Sequence, residues 1–224
     1  MNKSRFLATL LMVFSLLQLH ADFTPTAYYV LDGEESSTTD MLNDAQAPLL
    51  VTFKANPENL GDEPVSYEWR FQKEGSTSTF LTRYEEETSY EFRESGTTAV
   101  SLYVSYPSSD QPELISTIRI NISNSLLEMP NAFSPNGDGI NDIYKAKSNY
   151  KSIVEFKAII LNRWGQKIYE WTDLNGGWDG TWHGSKVKAG VYFVIVKAKG
   201  ADGRNYEIKR DVNLMRDYTE QTNQ

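Results

Sequence analysis

Pro130-Asn131-Ala132-Phe133-Ser134-Pro135-Asn136-Gly137-Asp138-Gly139-Ile140-Asn141-Asp142 is the stretch on which the reading of this chain turns. Two Pro, two Gly, two Asp and three Asn in thirteen positions favour tight turns and oxygen-rich loops over helix or regular strand. It marks a boundary, with one strand-rich region before it and another after it.

Upstream, Leu50 to Ala55 reads as a strand that runs into the turn residues Asn56 to Asp62. Val65, Tyr67, Trp69 and Phe71 then alternate with Ser66, Glu68 and Arg70, the pattern of a strand with one buried face. Further runs at Thr79 to Tyr84, Ser89 to Phe92, Ala99 to Tyr106 and Leu114 to Ile122 complete a set of short strands over residues 45–123. Such a set predicts a sandwich of antiparallel sheets. Residues 22–44 mix a polar run, Glu34 to Asp40, with the short cluster Tyr28-Tyr29-Val30-Leu31, and read as an irregular lead-in. Residues 124–129 read as a linker short enough that the two domains touch or hinge closely.

Downstream, Asp142 to Lys147 reads as a first strand, and Ile153 to Asn162 and Gln166 to Trp171 as two more joined through Arg163-Trp164-Gly165. Val191 to Lys199 is apolar on both faces at its start, as a central strand would be, and Asp202-Gly203 turns the chain into Tyr206 to Met215. A second β-domain therefore spans 130–216, followed by a polar tail at 217–224. The expected fold is all-β: two immunoglobulin-like antiparallel β-sandwich domains in tandem.

Residues 1–21 stand apart. Lys3 and Arg5 precede an apolar run from Phe6 to Leu19 that ends in Leu19-His20-Ala21, the order of a secretory signal peptide and too short for a membrane span. No later stretch is apolar enough to cross a bilayer as a helix. The 224 residues include no cysteine, which excludes disulfides, thiol catalysis, thiolate metal sites and lipid attachment through an N-terminal cysteine. The net charge of -8 is uneven: residues 22–123 carry 18 acidic against 6 basic side chains, residues 124–224 carry 12 against 14. The acidic front half argues against nucleic acid or anionic lipid as its ligand.

Catalysis finds little support. With His20 in the leader, His183 alone remains, in a loop context, and no nucleophile elbow, zinc-protease helix motif, phosphate-binding loop or dinucleotide fingerprint occurs. No particular pair of carboxylates is singled out for glycoside hydrolysis. Two binding readings stand beside plainer ones. Asn136, Asp138 and Asp142 are spaced like oxygen ligands of a calcium loop, but Ser134 and Lys145 occupy the positions where Asp and a bidentate Glu would be needed. The same residues serve equally as turn-setters that cap backbone N–H groups, and the composition favours this role. Trp164, Trp171, Trp178 and Trp182 fall within nineteen residues. They read first as core pieces, Trp164 and Trp178 in particular; an exposed row including Trp171 and Trp182 would instead stack on sugar rings.

Ala47 to Phe53, Tyr67-Glu68-Trp69-Arg70-Phe71 and Gly96 to Val104 resemble PKD-type immunoglobulin-like domains, although Gln72-Lys73-Glu74-Gly75 replaces that family's Gly-Asp-Gly. The second half resembles the type B C-terminal sorting domain of the Bacteroidota type IX secretion system, also called the gliding-motility-associated C-terminal domain. The matching pieces are the opening stretch, Asn162-Arg163-Trp164-Gly165-Gln166, Gly177-Trp178-Asp179-Gly180-Thr181, Ala189-Gly190-Val191-Tyr192-Phe193 and Val212-Asn213-Leu214-Met215-Arg216. Its signature falls on Asn131, Phe133, Pro135, Asn136, Gly137, Asp138, Gly139, Asn141, Asp142, Asn162, Trp164, Gly165, Trp178, Asp179, Gly180, Gly190, Tyr192 and Phe193.

The resemblance implies an exported protein; with the catalytic motifs missing, it is expected to be non-enzymatic and to need no cofactor, calcium at Asn136, Asp138 and Asp142 being the one candidate. It would pass through the periplasm to the cell surface or medium, with the outer-membrane translocon as partner. The PKD-like domain would be a binding or spacing cargo for a surface glycan or protein. Two alternatives follow: an accessory protein of the PorA kind that signals secretion status to an envelope sensor, and a carbohydrate-binding surface module.

Overall fold

The computed structural model describes residues 21–60, 64–109 and 111–216. The signal peptide, apart from Ala21, and the polar tail lie outside these residues. Every regular element among them is a strand, so the expected all-β class is the one observed.

The first domain contains β1 (Asp22–Phe23), β2 (Thr26–Leu31), β3 (Glu34–Thr38), β4 (Met41–Ala45), β5 (Leu49–Lys54), β6 (Pro57–Glu58), β7 (Ser66–Lys73), β8 (Thr79–Arg83), β9 (Glu87–Phe92), β10 (Gly96–Ser105) and β11 (Glu113–Ile122). One sheet has the order β3-β2-β5-β9 and the facing sheet β4-β11-β10-β7-β8, while β1 and β6 form a small pair. Alternation along each long strand sends one row inward: Leu49, Val51 and Phe53 from β5, Trp69 and Phe71 from β7, Val100, Leu102 and Val104 from β10. Phe53 lies at the centre, its ring 5.8 Å from Trp69, 5.6 Å from Phe71 and 6.4 Å from Phe92. The buried Trp69 indole N–H is satisfied by the carbonyl of Glu85 at 3.0 Å.

Residues 22–44 are not an irregular lead-in. They supply β2 to the middle of one sheet and β4 to the edge of the other. Asp32 and Gly33 (φ 52° and 84°) form the two-residue turn of a hairpin between β2 and β3. The exposed pattern of β3 along most of its length left no alternation to read.

The second domain contains β12 (Ala132–Phe133), β13 (Ile153–Leu161), β14 (Lys167–Trp171), β15 (Thr181–Trp182), β16 (Ser185–Lys186), β17 (Gly190–Gly200) and β18 (Asn205–Leu214). Its main sheet runs β12-β18-β17-β13-β14. Much of its second layer is loop, with the β15–β16 hairpin and the segments on either side of it. Pairing is antiparallel except that β4 lies parallel to β11 and β12 parallel to β18, so each long sheet is closed at one edge by a parallel strand.

Two further expectations change. Asp142 to Lys147 is not a strand. Tyr144 and Ala146 point inward in alternation, but only Tyr144 finds a ladder partner, exchanging N–H···O bonds of 2.8 and 3.0 Å with Trp178. Residues 124–129 are not a free linker either. Leu127 and Met129 are buried in the second core, Leu126 bridges Lys151, and the Arg210 guanidinium donates to the Met129 carbonyl at 2.7 Å.

The domains meet directly. The Ser152 hydroxyl accepts from the Ala47 N–H at 3.2 Å and lies 2.9 Å from the Ser123 hydroxyl. Arg93 donates to the Val154 carbonyl at 3.0 Å, the Ser95 N–H donates to the Ala201 carbonyl at 3.0 Å, and Ala201 packs into the first core. Asp202 accepts from the Ser125 hydroxyl at 2.7 Å and from the Ser125 N–H at 3.2 Å, tying the segment after β11 to the β17–β18 turn.

Candidate functional site

The sequence-predicted residues gather into a core and three loops. The core members are Phe133 and Trp178. Their rings are 5.3 Å apart, Phe133 lies 5.7 Å from Tyr144, and the fully buried Trp178 lies 5.0 Å from half-buried Tyr192. The Trp178 indole N–H donates to the Thr181 carbonyl at 2.7 Å, and the Tyr192 hydroxyl to the Lys188 carbonyl at 2.8 Å.

The first loop is the opening stretch. The exposed Asn131 offers its carbonyl to the Asn213 N–H at 2.9 Å, and the Asn141 carbonyl accepts from the Ser134 N–H at 2.9 Å. Asp142 grips the loop from inside: its two carboxylate oxygens accept from the Gly137 N–H at 2.7 Å and the Gly139 N–H at 2.8 Å. Asp138 accepts from the Ile140 N–H and from the Asn136 amide, both at 2.8 Å, and the Asn136 side-chain oxygen accepts from the Asp138 N–H at 3.0 Å. Asn136, Asp138 and Asp142 are thus brought together, but with their oxygens on the loop's own donors. A calcium ion would have to displace these bonds.

Bonds from Gly137 first, then Gly139 and Asn136, hold the Asp142 carboxyl below its ordinary value, with partial desolvation opposing. A depressed carboxyl stabilises the fold fully above its ordinary value near 3.8, and that contribution disappears as pH falls through the lower folded value. Asp142→Ala should therefore lower the melting temperature of the second domain at about pH 6, by an amount that shrinks as pH falls toward about 2. A thermal melt series across that range, with an equal deficit at both ends, would refute the role.

The second loop joins β13 to β14. The Asn162 side-chain oxygen accepts from the N–H groups of Trp164 and Gln166, both at 3.0 Å, and the Gly165 N–H closes the turn on the Asn162 carbonyl at 2.9 Å. This geometry turns Trp164 outward. It is 80% exposed, with the Arg163 guanidinium 5.1 Å from its ring, and is not the core piece expected. Trp171, by contrast, is only 7% exposed and is the core piece expected, so the alternative of a sugar-stacking pair with Trp182 has no exposed Trp171 face to use. Trp182 is half-buried, its ring 5.0 Å from that of His183, which sits with Gly184 in the β15–β16 turn.

In the third loop Asp179 accepts from the Thr181 N–H at 2.9 Å and the Thr181 hydroxyl at 2.7 Å. Gly180 (φ 77°) holds a left-handed conformation that favours glycine, and a Cβ there would press at 3.1 Å on the side chains of Pro135 and Leu214. Gly190 begins β17 opposite Leu214, and Phe193 faces outward from the same strand.

Arg216 closes the group. Its guanidinium donates to the carbonyls of Val187 at 2.9 Å, Gly180 at 2.7 Å and Pro135 at 3.5 Å. One side chain thereby joins three chain segments. No role was read for it from sequence, because its partners are backbone carbonyls that leave no compositional trace.

These features define a class: a small β-domain whose turns are fixed by their own side chains, carried behind a β-sandwich. Residues 127–210 match the family described as the CHU_C Type IX secretion signal domain. The sorting-domain resemblance is thereby borne out for the second half of the chain. Such a signal implies export to the cell surface or beyond, and contact with the type IX machinery. No helix long and apolar enough to cross a membrane occurs among the described residues.

No curated protein matches the chain. Among solved structures it is similar to the FN1–FN3 domains of chicken CNTN1, at 9% identity and a TM-score of 0.29, covering 80% of this chain and 71% of that one. It is also similar to dimeric latent PorU from Porphyromonas gingivalis, at 11% identity and a TM-score of 0.28, covering 88% of this chain and 20% of that one. At these scores neither neighbour informs function.

Proposed function

We propose that the chain is a non-enzymatic exported protein whose second domain directs its passage across the outer membrane through the type IX translocon, after a signal peptide has taken it across the inner membrane. The first, PKD-like domain is the cargo, a binding or spacing unit at the cell surface. The observation that carries this reading is the family match over residues 127–210, which covers most of a self-contained core running from Leu127 to Leu214. A role in recognition rather than chemistry is supported by the signature carboxylates: Asp138, Asp142 and Asp179 are each engaged by donors of their own loops.

A signal peptide and fluorescent reporter placed before residues 124–224 should deliver the reporter outside cells that have a working type IX system, and leave it in the periplasm of cells that lack the translocon. The cut before Asn124 retains Ser125, Leu127 and Met129, which belong to the second domain's packing. Equal periplasmic retention in both strains would defeat the reading.

A further inference from the structure

The two ends of the second domain differ in character. At the near end, where β13 begins and β17 ends, Ser152, Val154 and Ala201 are engaged by the first domain. About 26 Å along β13, at some 3.3 Å per residue, the far end carries nothing of the first domain. There Trp164 projects from a turn that Asn162 fixes, and Val191 and Phe193, 49% and 43% exposed, extend the apolar surface along β17.

Beside Trp164 lies a cleft of about 200 Å³ whose charged lining residues are Arg163 and Lys188, with no carboxylate among them. Some other cations of this domain are paired: Lys157 and Lys167 each reach Glu170 at 2.9 Å, Lys147 reaches Glu128 at 2.9 Å and Lys151 reaches Asp44 at 2.8 Å. Among the described residues, Arg163 and Lys188 have no acidic partner.

Trp164 is the most exposed large hydrophobic side chain among the described residues, and the charged groups lining the cleft beside it are both basic. We propose that this far end, centred on Trp164 with Arg163 and Lys188 beside it, is the surface the translocon reads, and that the translocon meets it with acidic groups around an apolar recess. The proposal rests on the sorting function above. Two observations support it. The exposed indole with adjacent guanidinium has the composition of an interface anchor, and its unpaired charge calls for an acidic counterpart. Its position is the second: recognition at the end opposite the cargo is not obstructed by whatever domain precedes it.

The test uses the full chain in a host with a working type IX system, measuring the fraction outside the cell against the fraction in the periplasm. Trp164→Ala and Arg163→Glu should each reduce export by roughly tenfold or more, the size of effect an anchor residue carries. Arg163→Lys, which keeps the charge, and Tyr84→Ala, 69% exposed on the first domain, should export normally. All four should melt with the parent, since none of these side chains is buried.

Normal export of Trp164→Ala and Arg163→Glu overturns the proposed surface while leaving the sorting role intact. Export of a chain truncated after Ser123 overturns the sorting role, and this proposal with it. Salt-sensitive binding of the parent chain to phosphatidylglycerol vesicles, together with normal export of Arg163→Glu, would assign the far end to lipid and also overturn the proposal.

Discussion

Trp178→Ala is expected to cost about 3–5 kcal/mol, the range for truncating a large buried aromatic, and to lower the stability of the second domain far more than that of the first. Trp178 is completely buried, contacts Phe133 and Tyr192, and through its indole N–H holds the Thr181 carbonyl at 2.7 Å. Its backbone is paired in both directions with Tyr144. Removing the indole therefore opens a cavity, leaves a partly buried carbonyl without its donor and loosens the loop layer over the sheet. The experiment is a thermal melt of the full chain followed by fluorescence and circular dichroism. Trp69 is the only tryptophan in the first domain and reports on it separately once the other indoles are accounted for. A single transition displaced equally for both domains would show that the effect is not confined to the second core.

Gly177→Ala should be nearly as damaging although it adds one carbon. A Cβ at this position would lie 2.6 Å from the Tyr144 carbonyl oxygen and 2.9 Å from the Lys145 Cβ. The carbonyl cannot simply retreat, because it accepts the Trp178 N–H at 3.0 Å. Overpacking of this kind costs about 1–3 kcal/mol and more where the backbone has to move. Equilibrium denaturation of Gly177→Ala against the parent measures it directly. Stability within about 0.5 kcal/mol of the parent, the range of ordinary surface changes, would mean that the loop layer is more compliant than its contacts indicate.

How much of this was legible in the sequence depended on whether a residue's surroundings leave a pattern. β5, β7, β10 and β11 each bury alternate residues, and period-two alternation reports that directly. β3 has no buried residue, so its sequence looks like loop, and the hairpin turn at Asp32-Gly33 went unread. Residues 124–129 were read as linker from brevity and position, yet Leu127 and Met129 already carry the apolar spacing of a buried segment.

The candidate surface divides in the same way. Phe133 and Trp178 are core, as large apolar residues usually are. Trp164 has the same chemistry but is held outward by a turn, and nothing in its composition reveals the direction of its side chain. The roles of Asp142 and Arg216 were less accessible still, because both act on main-chain groups that every residue possesses.

The parallel pairing of β12 with β18 has a bearing on synthesis order. Phe133, near the start of the second domain, takes its strand partner from Leu214, and Pro135 is engaged by Arg216. Chain made early in this domain therefore waits for chain made at its far end, and contacts of such long sequence separation form late in folding. A polypeptide released before residue 205 would carry the entire first domain yet lack β18, leaving β17 an open edge and the loops around Pro135 and Gly180 without their clasp. A machine that recognises only the finished second domain would thus pass chains in which β18 has joined the sheet and hold back those broken off inside that domain.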